Sequence, residues 1–143
     1  MSPTPFSDGV SKEGAMARPR KPKLQKPQVR ILFGSVYPLG PGKASLIEAV
    51  GRIGSISAAA RELGMSYRRA WQLINATNKC FRQPLVKTAT GGRGGGGAKV
   101  TPFGEEVLRQ FRNIESKAIS SVEQDIEDFT GYLADDASIC GVE

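Results

Sequence analysis

Histidine is absent from this sequence of 143 residues, and its absence limits the chemistry that the chain can perform. Histidine is the commonest general base and a frequent zinc ligand, so catalysis of the Ser–His–Asp and Cys–His kinds is excluded. The acidic residues, which could act instead, are concentrated in the C-terminal segment at the spacing of a solvated helix face. We therefore expect that the chain is not an enzyme and binds no metal.

Cysteine and long apolar runs are scarce as well. Cys80 and Cys140 lie far apart and neither belongs to a CxxC pair, so bystander thiols are a better interpretation than a disulfide or a metal site. No run approaches the roughly 18 to 20 apolar residues that cross a bilayer. Residues 1–16 also lack the apolar core of a secretory signal. We expect a cytoplasmic protein without a membrane partner.

Charge is divided unevenly along the chain. Residues 1–100 contain 17 of the 20 Lys and Arg residues but only 4 of the 14 Asp and Glu residues. A basic body of this kind is attracted to a polyanion such as DNA, and DNA binding would place the protein at the nucleoid. The alternative is a solvated surface without a particular function, which the clustering of charge disfavours.

The first part of the chain divides into a tail, a strand and a helix. Residues 1–27 are rich in Pro, Ser, Lys and Arg and predict a disordered tail, which is either solubilising or a basic arm that follows DNA. The alternating residues 29–33 predict a short strand that is ended by Gly34 and Pro38. Apolar residues between 46 and 53 then recur on one face of a helix that stops at Gly54.

Residues 54–75 carry the pattern of a helix-turn-helix. The small residues at 58–60 allow a first helix to approach a second one closely. Gly64 supplies a left-handed stop one residue after Leu63, and Ser66 is a good N-cap for the second helix. We predict a recognition helix over residues 66–78 that enters the major groove of DNA.

The recognition helix carries side chains of the types that reach phosphates and base edges. Gln72 and Asn75 are candidates for base edges, and Arg68 is a candidate for guanine or phosphate. The spacing of Trp71 from Ile74 favours partial burial over base contact. The residues of this helix that we predict to bind DNA are Ser66, Tyr67, Arg68, Arg69, Gln72 and Asn75.

A glycine-rich stretch follows between two short β-prone segments, residues 85–88 and 98–101. This pattern predicts a β-hairpin wing over residues 88–99, in which Arg93 and Lys99 contact the DNA backbone. A flexible linker is the alternative. A nucleotide-binding loop is disfavoured, because Ala98 replaces the glycine before Lys99 and Val100 follows where Ser or Thr would bind magnesium.

The C-terminal region predicts one long helix over residues 102–134, capped by Thr101, with a frayed tail at 135–143. Its apolar residues step by three and four, as in a coiled-coil seam. A helix of roughly 30 residues spans about 45 Å, which is more than a small domain can cover, so we predict a dimer. The predicted dimerisation residues are Phe111, Ile114, Ile119, Val122, Ile126, Phe129 and Leu133.

These segments predict a mainly α fold with a small β-hairpin: a winged helix-turn-helix over residues 28–101, followed by a dimerisation helix. Three motifs resemble the ModE-type molybdate-responsive regulators, a winged-helix group related to the LysR-type regulators. They are GSISAAA at 54–60, SYRRAW at 66–71 and TGGRGGGGA at 90–98, with Leu85, Val86, Thr101 and Gly104 also fitting. The resemblance covers about residues 28 to 125.

The resemblance implies that the helix-turn-helix reads DNA, that the wing touches the flanking backbone and that the final helix dimerises. ModE-type regulators also carry a C-terminal region that senses molybdate. Since this sequence ends at Glu143, we expect no cofactor and assign no small-molecule ligand. The leading prediction is a homodimeric transcriptional regulator that binds double-stranded DNA sequence-specifically. The alternative is a protein-interaction module that heterodimerises with a full-length ModE-like regulator through its C-terminal helix.

Overall fold

The structure is a computed structural model that describes residues 24–89 and 97–141. A compact unit spans Pro27–Val122, and a second segment begins at Glu123. The compact unit contains four strands and four helices within its described residues: β1 Ile31–Phe33, β2 Val36–Leu39, α1 Pro41–Ile53, α2 Ile56–Glu62, α3 Tyr67–Cys80, β3 Val86–Thr88, β4 Ala98–Val100 and α4 Pro102–Ser121. The described strands form two separate two-stranded hairpins. Most of the remaining residues of the unit are in helices, so the fold is mainly α with small β-hairpins, as predicted.

The first hairpin pairs β1 with β2 in antiparallel fashion around a turn at Gly34, whose φ of 64° suits a residue without a side chain. The predicted end of the strand at Gly34 is confirmed, but Pro38 lies inside a second strand that the sequence did not predict. Proline lacks an N–H donor, and a two-stranded hairpin tolerates it because each strand has an edge that needs no donor.

The turn between α2 and α3 has the predicted geometry. Gly64 takes a left-handed conformation with φ of 72°, and the N–H of Met65 donates to the carbonyl of Ala60 at 3.0 Å. The Ser66 hydroxyl accepts a hydrogen bond from the N–H of Arg69 at 3.0 Å, which fixes the start of α3. Since α2 and α3 meet through buried alanines, their backbones approach closely.

The core is formed by apolar side chains from α1, α2, α3, the second hairpin and α4. Its members include Leu46, Ile47, Val50, Ile56, Ile74, Leu85 and Phe111, all of which are buried. Thr77 is also buried, and its hydroxyl donates to the carbonyl of Leu73 at 2.8 Å, so this polar group is satisfied. The inner side of α3 is thereby fixed on the rest of the domain.

Gly104, near the start of α4, lies directly against the second hairpin. A Cβ at this position would clash with the carbonyl oxygen of Leu85, so only glycine allows the helix to approach the strand so closely. Thr101 caps α4 by accepting from the N–H of Gly104 at 2.9 Å, as predicted, and Pro102 begins its first turn.

The predicted continuous helix over residues 102–134 is wrong. The structure has α4 to Ser121 and a separate helix α5 at Glu123–Thr130, and Val122 between them has φ of −124° and ψ of 22°, outside the helical region. The Ser121 hydroxyl bonds the carbonyl of Ala118, competing with the helical ladder, and β-branched Val122 is a weak helix former.

Beyond α5, the tail that was predicted to fray contains a short 3-10 helix at Ala137–Cys140. Most of the predicted N-terminal tail, residues 1–23, lies outside the described residues. In the part of the chain that the structure describes, no helix is both long enough and apolar enough to cross a membrane.

Candidate nucleic-acid interface

One side of α3 carries a stripe of exposed polar side chains. Arg68, Gln72 and Asn75 are spaced by four and three residues, so at about 100° per residue they lie within roughly 60° of one another around the helix axis. All three are exposed, whereas Ala70 and Ile74 on the opposite side are buried. The three residues on which the DNA-binding prediction depends therefore project together into solvent.

Lys79 extends this stripe, although the sequence analysis did not select it. It follows Asn75 by four residues and is exposed at the last turn of α3. The same spacing of four that joins Arg68 to Gln72 could have identified it. We define the α3 stripe as Arg68, Gln72, Asn75 and Lys79.

The cations of α3 are not neutralised inside the domain. Over residues 24–89 and 97–141, the arginines that form ion pairs are Arg52, Arg109 and Arg112. Arg68 and Arg69 are exposed and form none with the residues described. The sequence between Glu62 and Glu105 also contains no acidic residue. The guanidinium groups of α3 are therefore free to bind an external anion without first breaking an internal pair.

The aromatic residues at the start of α3 pack against each other. The rings of Tyr67 and Trp71 are 6.2 Å apart in an edge-to-face arrangement. Trp71 is half-buried, which agrees with its predicted packing role, and Tyr67 is exposed. Ser66 serves as the N-cap of α3, so its oxygen is already used by the Arg69 amide.

The wing places two lysines directly opposite each other. In the antiparallel pairing of β3 with β4, Lys87 is the partner of Lys99, and both side chains are exposed. Like charges in this position destabilise a hairpin, so an anion that lies between them would relieve the repulsion. The sequence analysis selected Lys99 but not Lys87. Predicted Arg93 lies outside the described residues.

The side chain of Asn78 ties the wing to α3. Its Oδ1 accepts from the N–H groups of Leu85 and Val86 at 2.8 and 3.2 Å, and its Nδ2 donates to the carbonyl of Val86 at 3.1 Å. Asn78 comes three residues after Asn75 but points to the inner side of the helix. The wing and the α3 stripe are consequently held in a fixed relation to each other.

The predicted dimerisation residues do not form one helical seam, because α4 ends before Val122. Phe111 is only 2% exposed and belongs to the core of its own domain, so it is not available to a partner. Ile114 is 44% exposed and Ile119 is half-buried on α4. In the second segment, Phe129 is exposed while Ile126 and Leu133 are half-buried, and Leu133 lies beyond the end of α5.

Comparison with known proteins shows which family the helix-turn-helix region matches. Residues 43–105 match the family described as bacterial regulatory helix-turn-helix protein, lysR family. The molybdenum-pterin-binding protein MopB of Rhodobacter capsulatus is 44% identical over 91 residues, which cover 62% of this chain and 34% of MopB. The DNA-binding transcriptional dual regulator ModE of Escherichia coli (strain K12) is 38% identical over 88 residues, which cover 59% of this chain and 34% of ModE.

A further relative is the molybdenum-pterin-binding protein MopA of Rhodobacter capsulatus, which is 42% identical over 88 residues, covering 59% of this chain and 33% of MopA. The chain thus spans about a third of the length of these relatives. By name they are a regulator and molybdenum-pterin-binding proteins rather than enzymes, which confirms the prediction that this chain is not an enzyme.

Residues 43–105 are therefore a helix-turn-helix domain of the LysR family, a DNA-binding domain of the kind that bacterial transcriptional regulators carry. The similarity of this region to the N-terminal parts of ModE, MopA and MopB is consistent with a helix-turn-helix domain of the ModE type, the resemblance that the three sequence motifs indicated. The winged helix-turn-helix fold is confirmed together with it.

Proposed function

We propose that this chain binds double-stranded DNA sequence-specifically as a homodimeric transcriptional regulator, with α3 in the major groove and the wing on the flanking backbone. The observation that carries the proposal is the α3 stripe, four exposed polar side chains aligned on one side of a helix whose other side is buried. The 38% sequence identity to the DNA-binding regulator ModE of Escherichia coli over 88 residues supports the proposal.

The dimensions of α3 suit this role. An α-helix with its side chains is about 10 to 12 Å across, and the major groove is about 12 Å wide, so the helix fits with its exposed side against the base edges. Gln72 and Asn75 can each form two hydrogen bonds with adenine, and Arg68 can do so with guanine. Lys79, at the far end of the stripe, would contact a phosphate.

The position of the wing lysines supports the same orientation of the domain on DNA. Lys87 and Lys99 would neutralise phosphates beside the half-site, while Asn78 fixes the distance between these lysines and the α3 stripe. Because phosphate contacts position a protein and base contacts select the sequence, the wing contributes affinity and the stripe contributes specificity. The proposal includes no cofactor, since the residues that carry it contact DNA directly.

Selection of bound sequences from a random duplex library tests this proposal. A homodimer should select an inverted repeat whose half-site centres are separated by about 10 bp or a multiple of it. Affinity should also fall steeply with salt, because each neutralised phosphate releases counterions. Recovery of no preferred sequence, together with an affinity that does not respond to salt, would contradict the proposal.

A second candidate function is heterodimerisation with a longer relative through the C-terminal segment. The observation that favours it is the exposure of Phe129 and Tyr132, which are 61% and 85% exposed and pack edge to face at 6.2 Å. Light scattering of the purified chain, alone and mixed with a ModE-type protein, distinguishes the two. A chain that is monomeric alone, does not bind duplex DNA and pairs only with the relative would support this candidate.

A further inference from the structure

A cleft of about 330 Å³ lies between the wing, the loop that follows α3 and the start of α4. Since a water molecule takes up about 30 Å³ of the liquid, the cleft has room for a phosphate group together with several waters. Among the described residues, its lining includes Lys87 and Lys99 but no acidic side chain, and Gln83 adds an amide donor. The cleft therefore offers hydrogen-bond donors to an anion and no charge that would repel one.

A third cation is held beside this cleft by an aromatic ring. The guanidinium carbon of Arg82 lies 5.3 Å from the centroid of the Phe103 ring, which itself lines the cleft. The negative face of an aromatic ring attracts a cation in this position. Phe103 in turn packs edge to face with Phe81 at 6.5 Å, and both rings lie against the core. Arg82 is exposed, yet its position is tied to the core through two aromatic rings.

None of these cations is neutralised within the part of the chain that the structure describes. The ion pairs found there involve other arginines and no lysine. Glu105, in the first turn of α4, does not line the cleft. Lys87 and Lys99 are moreover direct partners across the hairpin, so their charges repel each other. The two lysines are therefore more favourable with an anion in the cleft than without one.

We propose that this cleft binds one phosphate group of the DNA backbone, with Arg82 as a phosphate-binding residue and Phe103 as the residue that positions it. A planar guanidinium group contacts two phosphate oxygens at once, and lysine binds phosphate as a point charge. Arg82 comes three residues after Lys79, just beyond the end of α3, so the cations of the cleft follow directly on the α3 stripe along the chain. The inference rests on the proposed function and adds to it a contact outside the stripe and the wing.

A phosphate in the cleft fixes the register of α3 on DNA without reading a base. The hydrogen bonds of Asn78 hold the wing against α3, so a backbone contact at the wing sets where α3 lies along the groove. Loss of Arg82 should consequently weaken binding to different sequences by similar factors and leave the preferred sequence unchanged. A free phosphate has the same chemistry as a backbone phosphate, so the experiment has to separate the two sources.

Fluorescence anisotropy tests the inference with duplexes that carry one selected half-site and a neutral methylphosphonate in place of a single backbone phosphate. At one position beside the half-site, the substitution should weaken binding of the wild-type chain roughly three- to fivefold, the upper range for an exposed ion pair. Arg82→Ala should weaken binding of the unmodified duplex by about the same factor and make the salt dependence shallower by about one unit. At that position alone, the two changes combined should weaken binding no more than either change alone.

Variants of Phe103 test its positioning role. Phe103→Leu removes the ring without removing a charge and should weaken binding about twofold, with an unaltered salt dependence. Phe103→Tyr keeps an aromatic ring and should bind as the wild type does. Arg109→Ala is the matched control, because it lowers the net charge by the same amount on α4, and it should change neither affinity nor salt dependence. Thermal melting establishes that each variant is folded.

The outcomes separate this inference from the proposed function. A wild-type chain that binds the duplex, but shows no position at which the methylphosphonate and Arg82→Ala effects overlap, would overturn the inference alone. If inorganic phosphate at constant ionic strength then shifts the amide resonances of Lys99 and Phe103, the cleft binds free phosphate and not DNA. A wild-type chain that binds no duplex DNA would overturn the proposed function itself.

Discussion

The arginines of α3 and α4 have the same chemistry but opposite surroundings. On α4, Arg109 pairs with Glu106, and Arg112 binds Glu48 of α1 through two hydrogen bonds of 3.0 and 2.9 Å. On α3, Arg68 forms no ion pair with the residues that the structure describes. The comparison teaches that Glu48, Glu106 and Glu115 neutralise the arginines of α4, whereas Arg68 on α3 keeps its charge available to an external anion.

The hydrogen bonds of Arg112 favour its charged form. The side-chain hydrogen bond with Glu48 raises the pKa of Arg112 above its ordinary value, and the bond with Glu115 acts in the same direction. Arginine stays protonated at every pH at which the protein is folded, so this pair joins α4 to α1 throughout that range. Among residues 24–89 and 97–141, no ion pair of this kind holds the Arg68 side chain in place.

The largest expected effect on stability comes from the inner side of α3. Asn78→Ala removes the acceptor of two buried backbone N–H groups, at Leu85 and Val86, and should lower the free energy of unfolding by about 1–3 kcal/mol. Chemical denaturation measures the loss. Asn75→Ala, on the exposed side of the same helix, is the matched control and should stay within about 0.5 kcal/mol of the wild type. Equal losses of unfolding free energy in the two variants would contradict the distinction between the inner and the exposed side of α3.

A smaller effect is expected on α4. Arg112→Ala breaks the hydrogen bonds to Glu48 and should destabilise the domain by about 1 kcal/mol, since the pair is partly exposed and solvent weakens it. The affinity for DNA should not change. Arg109→Ala is the control, because its pair joins neighbouring turns of one exposed helix and contributes less. A loss of DNA affinity in Arg112→Ala without a loss of stability would contradict the contrast between the structural arginines of α4 and the unpaired arginine of α3.

The smallest expected effect concerns the wing. Lys87→Glu turns the repulsive pair with Lys99 into an attractive one and should stabilise the free domain by about 0.2–1 kcal/mol. The same change should weaken DNA binding and make its salt dependence shallower by about one unit or more. Thermal melting and titrations at several salt concentrations measure both effects. Lys117→Glu on α4 should change neither, and an unaltered salt dependence in Lys87→Glu would refute the wing contact.

Features of the fold that depend on a few neighbouring residues were predictable from the sequence. Gly64, Ser66 and Thr101 act through their own backbone conformation or a hydrogen bond three residues away, so their roles follow from local chemistry. Exposure of Arg68 and its neighbours followed from helical spacing alone. The wing strands were also predictable, since a glycine run between β-prone segments leaves few alternatives.

Features that depend on tertiary packing were not predictable. The periodicity of α4 could not reveal that Phe111 packs into its own domain, because a core face and a dimer seam have the same spacing. The end of α4 at Ser121 depends on the hydrogen bond from the Ser121 hydroxyl to the carbonyl of Ala118 and on β-branched Val122. The spacing of apolar residues gives no information about either feature. Strand β2 was missed because Pro38 indicates the end of a strand unless its edge is known to be free.

The most direct test of DNA recognition by α3 compares two double variants that match in residue type and exposure. Arg68→Ala with Asn75→Ala removes half of the α3 stripe, and Arg109→Ala with Asn113→Ala removes the same side chains from the exposed side of α4. Fluorescence anisotropy with one selected duplex measures both. We expect the α3 variant to bind at least about tenfold more weakly, a loss of about 1.4 kcal/mol or more, with the α4 variant unchanged. Equal affinities for the two variants would contradict DNA recognition by α3.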